Sequence, residues 1–334
     1  MTKKIIYLSV IILTLTLIFV PPLFSSAQIN LGGNTLEMSM SPENPEPGQT
    51  VKISLKSYSY DLNRLQITWY VDGVQKKTNI GLKDFNTVAG RNGQKTIIKA
   101  VVNTEEGIKE IEAFFIPSLV DLIYESLSYT PPFYKGRALN PNQGVVIVTA
   151  IPELMRASGE KVQAQNIIYS WKKDGKVQES DSGLGKNVFV FAGTVPIRDS
   201  QIEVVASTID SDIYASKKVN ITNVVPKIVF YENNPVYGIM FNRAIKNTVK
   251  MSADEFNVFA VPFFFSVGYA TTPDLNYIWT LNGQEVSNQD PKNTFTTRIE
   301  SAGSGLANID LKISNTVRIF QFIDNSYKLS YQKE

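Results

Sequence analysis

Histidine and cysteine are both missing from this 334-residue chain. Without histidine there is no Ser-His-Asp or Cys-His arrangement, and the commonest general base and commonest zinc ligand are gone. Without cysteine no disulfide staples a domain, so stability must rest on buried apolar surface and strand pairing. Helical signal is scarce as well. Beyond the N-terminal segment no stretch of about a dozen residues keeps i, i+3, i+4 apolar spacing; the best candidate, residues 151–166, suits a loop or one helical turn. Charge of one sign is also lacking, with 33 basic residues against 31 acidic. A nucleic-acid footprint, which needs a clustered basic face, is excluded.

Residues 1–27 carry a basic start at Lys3 and Lys4, an apolar run from Ile5 to Val20, Pro21-Pro22, and small residues ending at Ala27. That is a secretory signal peptide pattern, with an uncleaved membrane anchor as the alternative. Its removal leaves 31 basic and 31 acidic residues, a net charge of zero. The roughly 300 residues that follow suffice for two or three domains. Their longest apolar run, VFAVPFFFSV (258–267), is too short to span a bilayer. Membrane contact is expected only through the N-terminal segment.

All three tryptophans stand at one register before a turn: Trp69 before Asp72-Gly73, Trp171 before Asp174-Gly175, and Trp279 before Asn282-Gly283. They are 102 and 108 residues apart, which predicts an internal repeat near 100 residues. Alternation ending in Asp-Gly or Asn-Gly is a hairpin signal, because these residues accept positive φ. Each Trp is therefore expected on a strand, facing a core between two sheets.

The flanks repeat too. Strands are expected before each Trp (50–59, 144–153, 256–267) and about 30 residues after it (94–104, 200–208, 307–316). Last strands are expected at 108–116, 214–222 and 317–323, and the C-terminal SYKLSYQKE as a polar tail. Many short strands between turn signals predict an all-β chain of three tandem immunoglobulin-like β-sandwiches. The expected divisions are 28–117, 118–224 and 225–334.

The chain resembles the bacterial immunoglobulin-like and polycystic-kidney-disease-like (PKD-like) repeat families. The resemblance rests on SPENPEPGQTVKISL (41–55), the element Trp69, Asp72, Gly73, and the strand ending VVNTEEG (101–107). It departs from the PKD pattern, in which an aromatic-x-Trp-Asp-Phe-Gly-Asp-Gly turn is usual, and the paired cysteines of antibody-type domains are missing. The resemblance implies spacer, adhesion or carbohydrate-binding accessory roles on exported bacterial proteins, and fold alone does not choose among them.

Two aromatic-proline segments, SYTPPFYKG (128–136) and NNPVYG (233–238), lie just after the expected divisions. Tyr129, Phe133, Tyr134 and Tyr237 either dock a glycan or peptide or, the favoured reading, cover the junction between sandwiches. In VPFFFSVGY (261–269), alternation puts Phe263 and Phe265 on one face and Phe264 on the other. Phe264 then marks a self-association surface, or a bulge at Pro262 re-aims it. Asp210, Asp212 and the run at 288–290 lack calcium-loop spacing and are read as solvated turns. Neither metal nor cofactor is expected.

Isolated acids such as Glu153 and Glu232 give no sign of a glycosidase pair. GLGKN (183–187) lacks the phosphate-loop frame, and a Ser-x-x-Lys nucleophile would need a helix. The sequence thus points to an exported, non-enzymatic, structural or adhesive envelope protein. An envelope protein or a polysaccharide is the expected partner class, with a filament subunit as a further alternative.

Overall fold

In the computed structural model, residues 36–287 and 290–333 are described. The segment 1–27 and Asn288-Gln289 of the 288–290 run lie outside the described residues. The chain is all-β, built of three tandem immunoglobulin-like β-sandwiches, with two short 3-10 turns (Ala164–Asn166 and Glu179–Asp181) and no α-helix among the described residues. No helix there is long and apolar enough to cross a membrane.

Module 1 holds β1 (Leu36–Ser41), β2 (Thr50–Ser57), β3 (Gln66–Val71), β4 (Val74–Ile80), β5 (Asp84–Val88), β6 (Thr96–Thr104) and β7 (Gly107–Phe115). They form two sheets, β1-β2-β5 and β4-β3-β6-β7. Module 2 begins with β8 (Leu119–Ser126), β9 (Val145–Glu153), β10 (Ile168–Lys173) and the short β11 (Lys176–Val177) and β12 (Gly183–Leu184). It is completed by β13 (Val188–Ala192), β14 (Ser200–Ser207) and β15 (Tyr214–Ile221). The same plan returns, β13-β9-β8 against β11-β10-β14-β15.

Module 3 starts with β16 (Lys227–Asn234), β17 (Gly238–Ile245), β18 (Thr248–Lys250) and β19 (Glu255–Phe263). Then come β20 (Leu275–Leu281), β21 (Gln284–Val286), β22 (Thr294–Arg298), β23 (Gly303–Asn315) and β24 (Phe322–Lys333). Its sheets are β17-β16-β19-β22 and β18-β24-β23-β20-β21, so β17 adds an outer strand that modules 1 and 2 lack.

Each pair of sheets closes over its own apolar cluster, and each cluster contains one tryptophan, exposed by 1 % or less. The surrounding pattern is nearly identical three times. The Nε1–H of Trp69 donates to the carbonyl of Leu82 at 2.8 Å, that of Trp171 to Lys186 at 2.9 Å, and that of Trp279 to Lys292 at 3.0 Å. Three residues beyond each carbonyl a phenylalanine stacks on the indole: Phe85 at 5.3 Å, Phe189 at 5.6 Å and Phe295 at 5.0 Å between ring centroids. A buried indole needs a partner for its one donor, and a stacked ring adds about 1 kcal/mol beyond area burial. The segments LKDF, KNVF and KNTF, ending at Phe85, Phe189 and Phe295, carry this in the sequence.

The turns explain the residue after the strand. Asp72, Asp174 and Asn282 have φ of 51°, 52° and 51°, and Gly73, Gly175 and Gly283 follow at 76°, 78° and 82°. Two successive positive φ values make the turn whose twist matches a two-residue hairpin. Glycine alone would suffice for that backbone, yet the first position is always Asp or Asn. Its side chain reaches across to the neighbouring strand: Asp72 Oδ1 accepts from the N–H of Ile97 at 2.8 Å, Asp174 from Gln201 at 2.9 Å and Asn282 from Asn308 at 2.8 Å. The backbone N–H of each turn residue donates back to the carbonyl of Ile97, Gln201 or Asn308. The turn is therefore clamped to the next strand by a two-way bond.

Two expectations need correction. The last strand of module 3 is not 317–323; residues 316–321 are the turn, and the supposed tail is β24, paired with β23 from Ser314↔Phe322 to Gly303↔Lys333. Tyr327 and Leu329 point into the core while Lys328 between them is exposed, so charge on the wet face disguised the alternation. β23 likewise starts before the expected 307, at Gly303.

Candidate functional site

The most distinctive surface chemistry lies where module 2 meets module 3. The connection from β8 to β9, residues 127–144, leaves module 2 and lies on module 3 at two places. Its first half brings Tyr129, Phe133 and Tyr134 onto the outer face of the sheet β17-β16-β19-β22. The face itself supplies Tyr231, Val261, Phe263 and Phe264, all buried. Phe133 lies 4.3 Å from Phe241 and 5.8 Å from Tyr231 between centroids, and Tyr134 stands edge-on at 5.7 Å from both Phe263 and Phe264. Edge-to-face contacts of this kind are favourable because the ring edge is positive and its face negative. Burial raises the phenol pKa of Tyr129 and of Tyr231, which keeps both neutral.

The backbone of Phe264 makes this possible. Strand β19 stops at Phe263, and Phe264 takes φ of 62°, the left-handed region that a non-glycine residue seldom enters. The twist overturns the alternation expected there: Phe263 and Phe264 both enter the joint, while Phe265 turns into the core of module 3. Tyr129 fixes the kink by pairing with it, its N–H donating to Phe265 O at 2.7 Å and its carbonyl accepting from Phe264 N at 2.8 Å.

The second half of the connection grips the turn between β23 and β24. Gln321 is fully buried and makes four bonds. Its Nε2 donates to Asn142 O at 2.6 Å and Ser266 Oγ at 2.8 Å; its Oε1 accepts from Ser266 N at 2.8 Å and Asn315 Nδ2 at 3.2 Å. Gln143, at φ of 57°, accepts from Arg318 Nε at 3.0 Å and from Phe320 N at 3.1 Å. Gln321 lies inside the expected last strand 317–323, where alternation alone assigns it no role. Its only sequence signal is an amide inside an apolar run, FQF.

The joint between modules 1 and 2 carries no aromatic cluster; Ile116 packs against the core of module 2 and polar contacts surround it. Asn92 Nδ2 donates to Glu153 O at 2.8 Å, Ser118 N to Pro45 O at 3.4 Å, and Lys217 pairs with Glu46 at 3.0 Å. A Cβ on Gly93 would stand 2.8 Å from the carbonyl oxygen of Met155, so the close approach depends on glycine there.

NNPVYG behaves unlike its counterpart. It is the tip of the β16–β17 hairpin, with Val236 79 % and Tyr237 78 % exposed. Asn234 Oδ1 accepts from Val236 N at 2.9 Å and Tyr237 N at 3.2 Å, which fixes the tip although nothing covers it.

An open groove of about 460 Å³ on module 1 is lined by Arg64, Gln66, Thr78, Asn79, Ile80 and Asn103, without a carboxylate. Among the described residues no group of three acids could hold a metal. Asp210 pairs with Arg156 at 3.6 Å, and its carboxyl accepts from Asp212 N in a turn.

No protein-family model matches the chain, and no curated protein matches it. Solved structures do. The fibronectin(III)-like modules of Clostridium thermocellum CbhA are 13 % identical over 56 % of this chain and 94 % of theirs, at a TM-score of 0.27. The three N-terminal domains of the bacteriophage RB49 highly immunogenic outer capsid protein are 13 % identical over 90 % and 98 %, at 0.24. The central fibronectin-III array of RIM-binding protein is 13 % identical over 89 % and 96 %, at 0.29.

Proposed function

We propose that this chain is an exported, non-enzymatic spacer and adhesive protein of the cell envelope, made of modules at 28–117, 118–224 and 225–334. The observation that carries the reading is the joint of modules 2 and 3. An aromatic face, a strand-like backbone pair and a buried glutamine tie the two sandwiches into one body. Joints within a chain are by default mobile unless large and apolar. This one is apolar, which suits a part that holds a surface at a set distance and angle. The N-terminal segment delivers or anchors the chain, and module 3 carries the exposed hairpin at the other end. The absence of histidine and cysteine supports a non-catalytic role.

Small-angle scattering tests the spacer reading. The expected profile is an extended particle whose maximum dimension falls, and whose ensemble broadens, when Phe133 and Tyr134 are both changed to Ala. A wild-type profile already as broad as the variant's would refute the fixed joint. Mass spectrometry of the mature N-terminus tests export: a start at Gln28 supports cleavage, Met1 supports an anchor, and a chain found only in the cytosol rejects the envelope role.

A further inference from the structure

The three modules differ on one face, the outer side of the sheet that carries the first two strands. In module 1 it is polar, with Ser39, Lys52, Ser54 and Asp84, the last two bonded at 2.6 Å. In module 3 it is aromatic and covered by the β8–β9 connection of module 2. In module 2 it is apolar and open. Ile123, Ile151, Val188 and Val190 are 56 %, 44 %, 43 % and 50 % exposed. Ile123 and Val188 flank Thr149, Val190 pairs with Ile147, and Ile147 and Ile151 lie on either side of Thr149 along β9, so the apolar side chains form one patch around Thr149. By analogy with the covered joint, the β1–β2 connection of module 1 would cover this patch. That connection is short, contains no aromatic residue, and reaches Ser118, Lys217 and Tyr214 rather than the patch.

At the other end of the molecule the corresponding connection of module 3 begins with the hairpin tip, where Val236 and Tyr237 stand in solvent. The chain thus holds a receiving face with no cover and a covering element with nothing beneath it. Charge agrees with their pairing: Asp121 and Glu125 stand on the receiving face beside Ile123, and the exposed Lys246 follows the hairpin, where Arg243 is already paired with Glu232 at 3.1 Å. We propose that the open face of module 2 receives the module 3 hairpin of a second copy, head to tail, reproducing between molecules the contact that joins modules 2 and 3 within one. Two different patches meeting in this way generate open chains rather than a closed dimer. The inference does not depend on the envelope role.

Sedimentation of the chain at rising concentration, with circular dichroism melting to establish folding, tests it. The wild type is expected to grow into a series of species, whereas Val190→Glu and Tyr237→Ser each stay monomeric with unchanged melting. A mixture of the two variants is expected to form dimers and stop there, since each keeps one working patch. Because the chain has no cysteine, Val190→Cys mixed with Val236→Cys should trap that contact as a disulfide, and neither variant alone should cross-link. A wild type that stays monomeric overturns the proposal and leaves the face to a different partner. Association lost in Val190→Glu but kept in Tyr237→Ser overturns it too, because the face would then pair with itself, as does a mixture that fails to dimerise.

Discussion

Asp174 shows how one side chain serves fold and stability together. Burial alone would raise its pKa, but the bond from Gln201 N–H, with Lys173 and Arg198 close by, outweighs this and holds the carboxyl below its ordinary value. A depressed folded pKa contributes stability above the unfolded value, near 4, and loses it as pH falls through the folded one. Asn282, at the same place in module 3, accepts the equivalent bond without a charge. Asp174→Asn should therefore fold normally and flatten the acid limb of stability for module 2. Asp174→Ala loses the acceptor and places a residue without a compensating bond at φ of 52°, at a cost of about 1–2 kcal/mol near neutral pH. Urea midpoints at neutral and acid pH check both. The buried tyrosines follow the opposite sign. Burial pushes Tyr169 up to about 12, so its contribution is full below the unfolded value near 10 and is lost as pH rises through the folded one.

Strands are governed by what their inward positions bury. β24 carries Lys328, Ser330 and Gln332 outward and was hidden by them, yet Leu329 is fully buried in the core of module 3. Leu329→Ala should cost about 2–5 kcal/mol, seen as a lowered melting transition of module 3. A variant as stable as the wild type would mean that β24 is not docked. Phe264 shows the reverse limit of alternation. Period-2 reasoning holds only while φ stays extended, and one left-handed residue at the strand end sent two phenylalanines to the same side.

Across the whole molecule, the two joints have different stiffness because their chemistry differs. The joint of modules 1 and 2 rests on Ile116 packed against the core of module 2 and on a few polar contacts, of which the exposed ones are worth little in water. That of modules 2 and 3 buries aromatic rings and a fully bonded glutamine. Gln321→Leu leaves Ser266 N–H and Asn315 without their acceptor and Asn142 O without a donor, and a buried polar group left unpaired costs about 1–3 kcal/mol. Calorimetry should then show modules 2 and 3 melting as two transitions, where the wild type shows one for the pair. Separate melting already in the wild type would contradict the coupled joint.

The sequence by itself determined the all-β character, the three-fold repeat and the place of each tryptophan, because period, burial and turn chemistry are local and leave marks within a few residues. The carbonyl and phenylalanine that complete each indole's surroundings were legible too, had LKDF, KNVF and KNTF been aligned. Only the tertiary structure decided which aromatic-proline segment packs on a neighbouring module. SYTPPFYKG and NNPVYG have similar composition, and what separates them is whether a neighbouring sheet stands within reach. The role of Gln321 and the open face of module 2 were settled in the same way, since contacts between modules join residues far apart in the chain and follow no period.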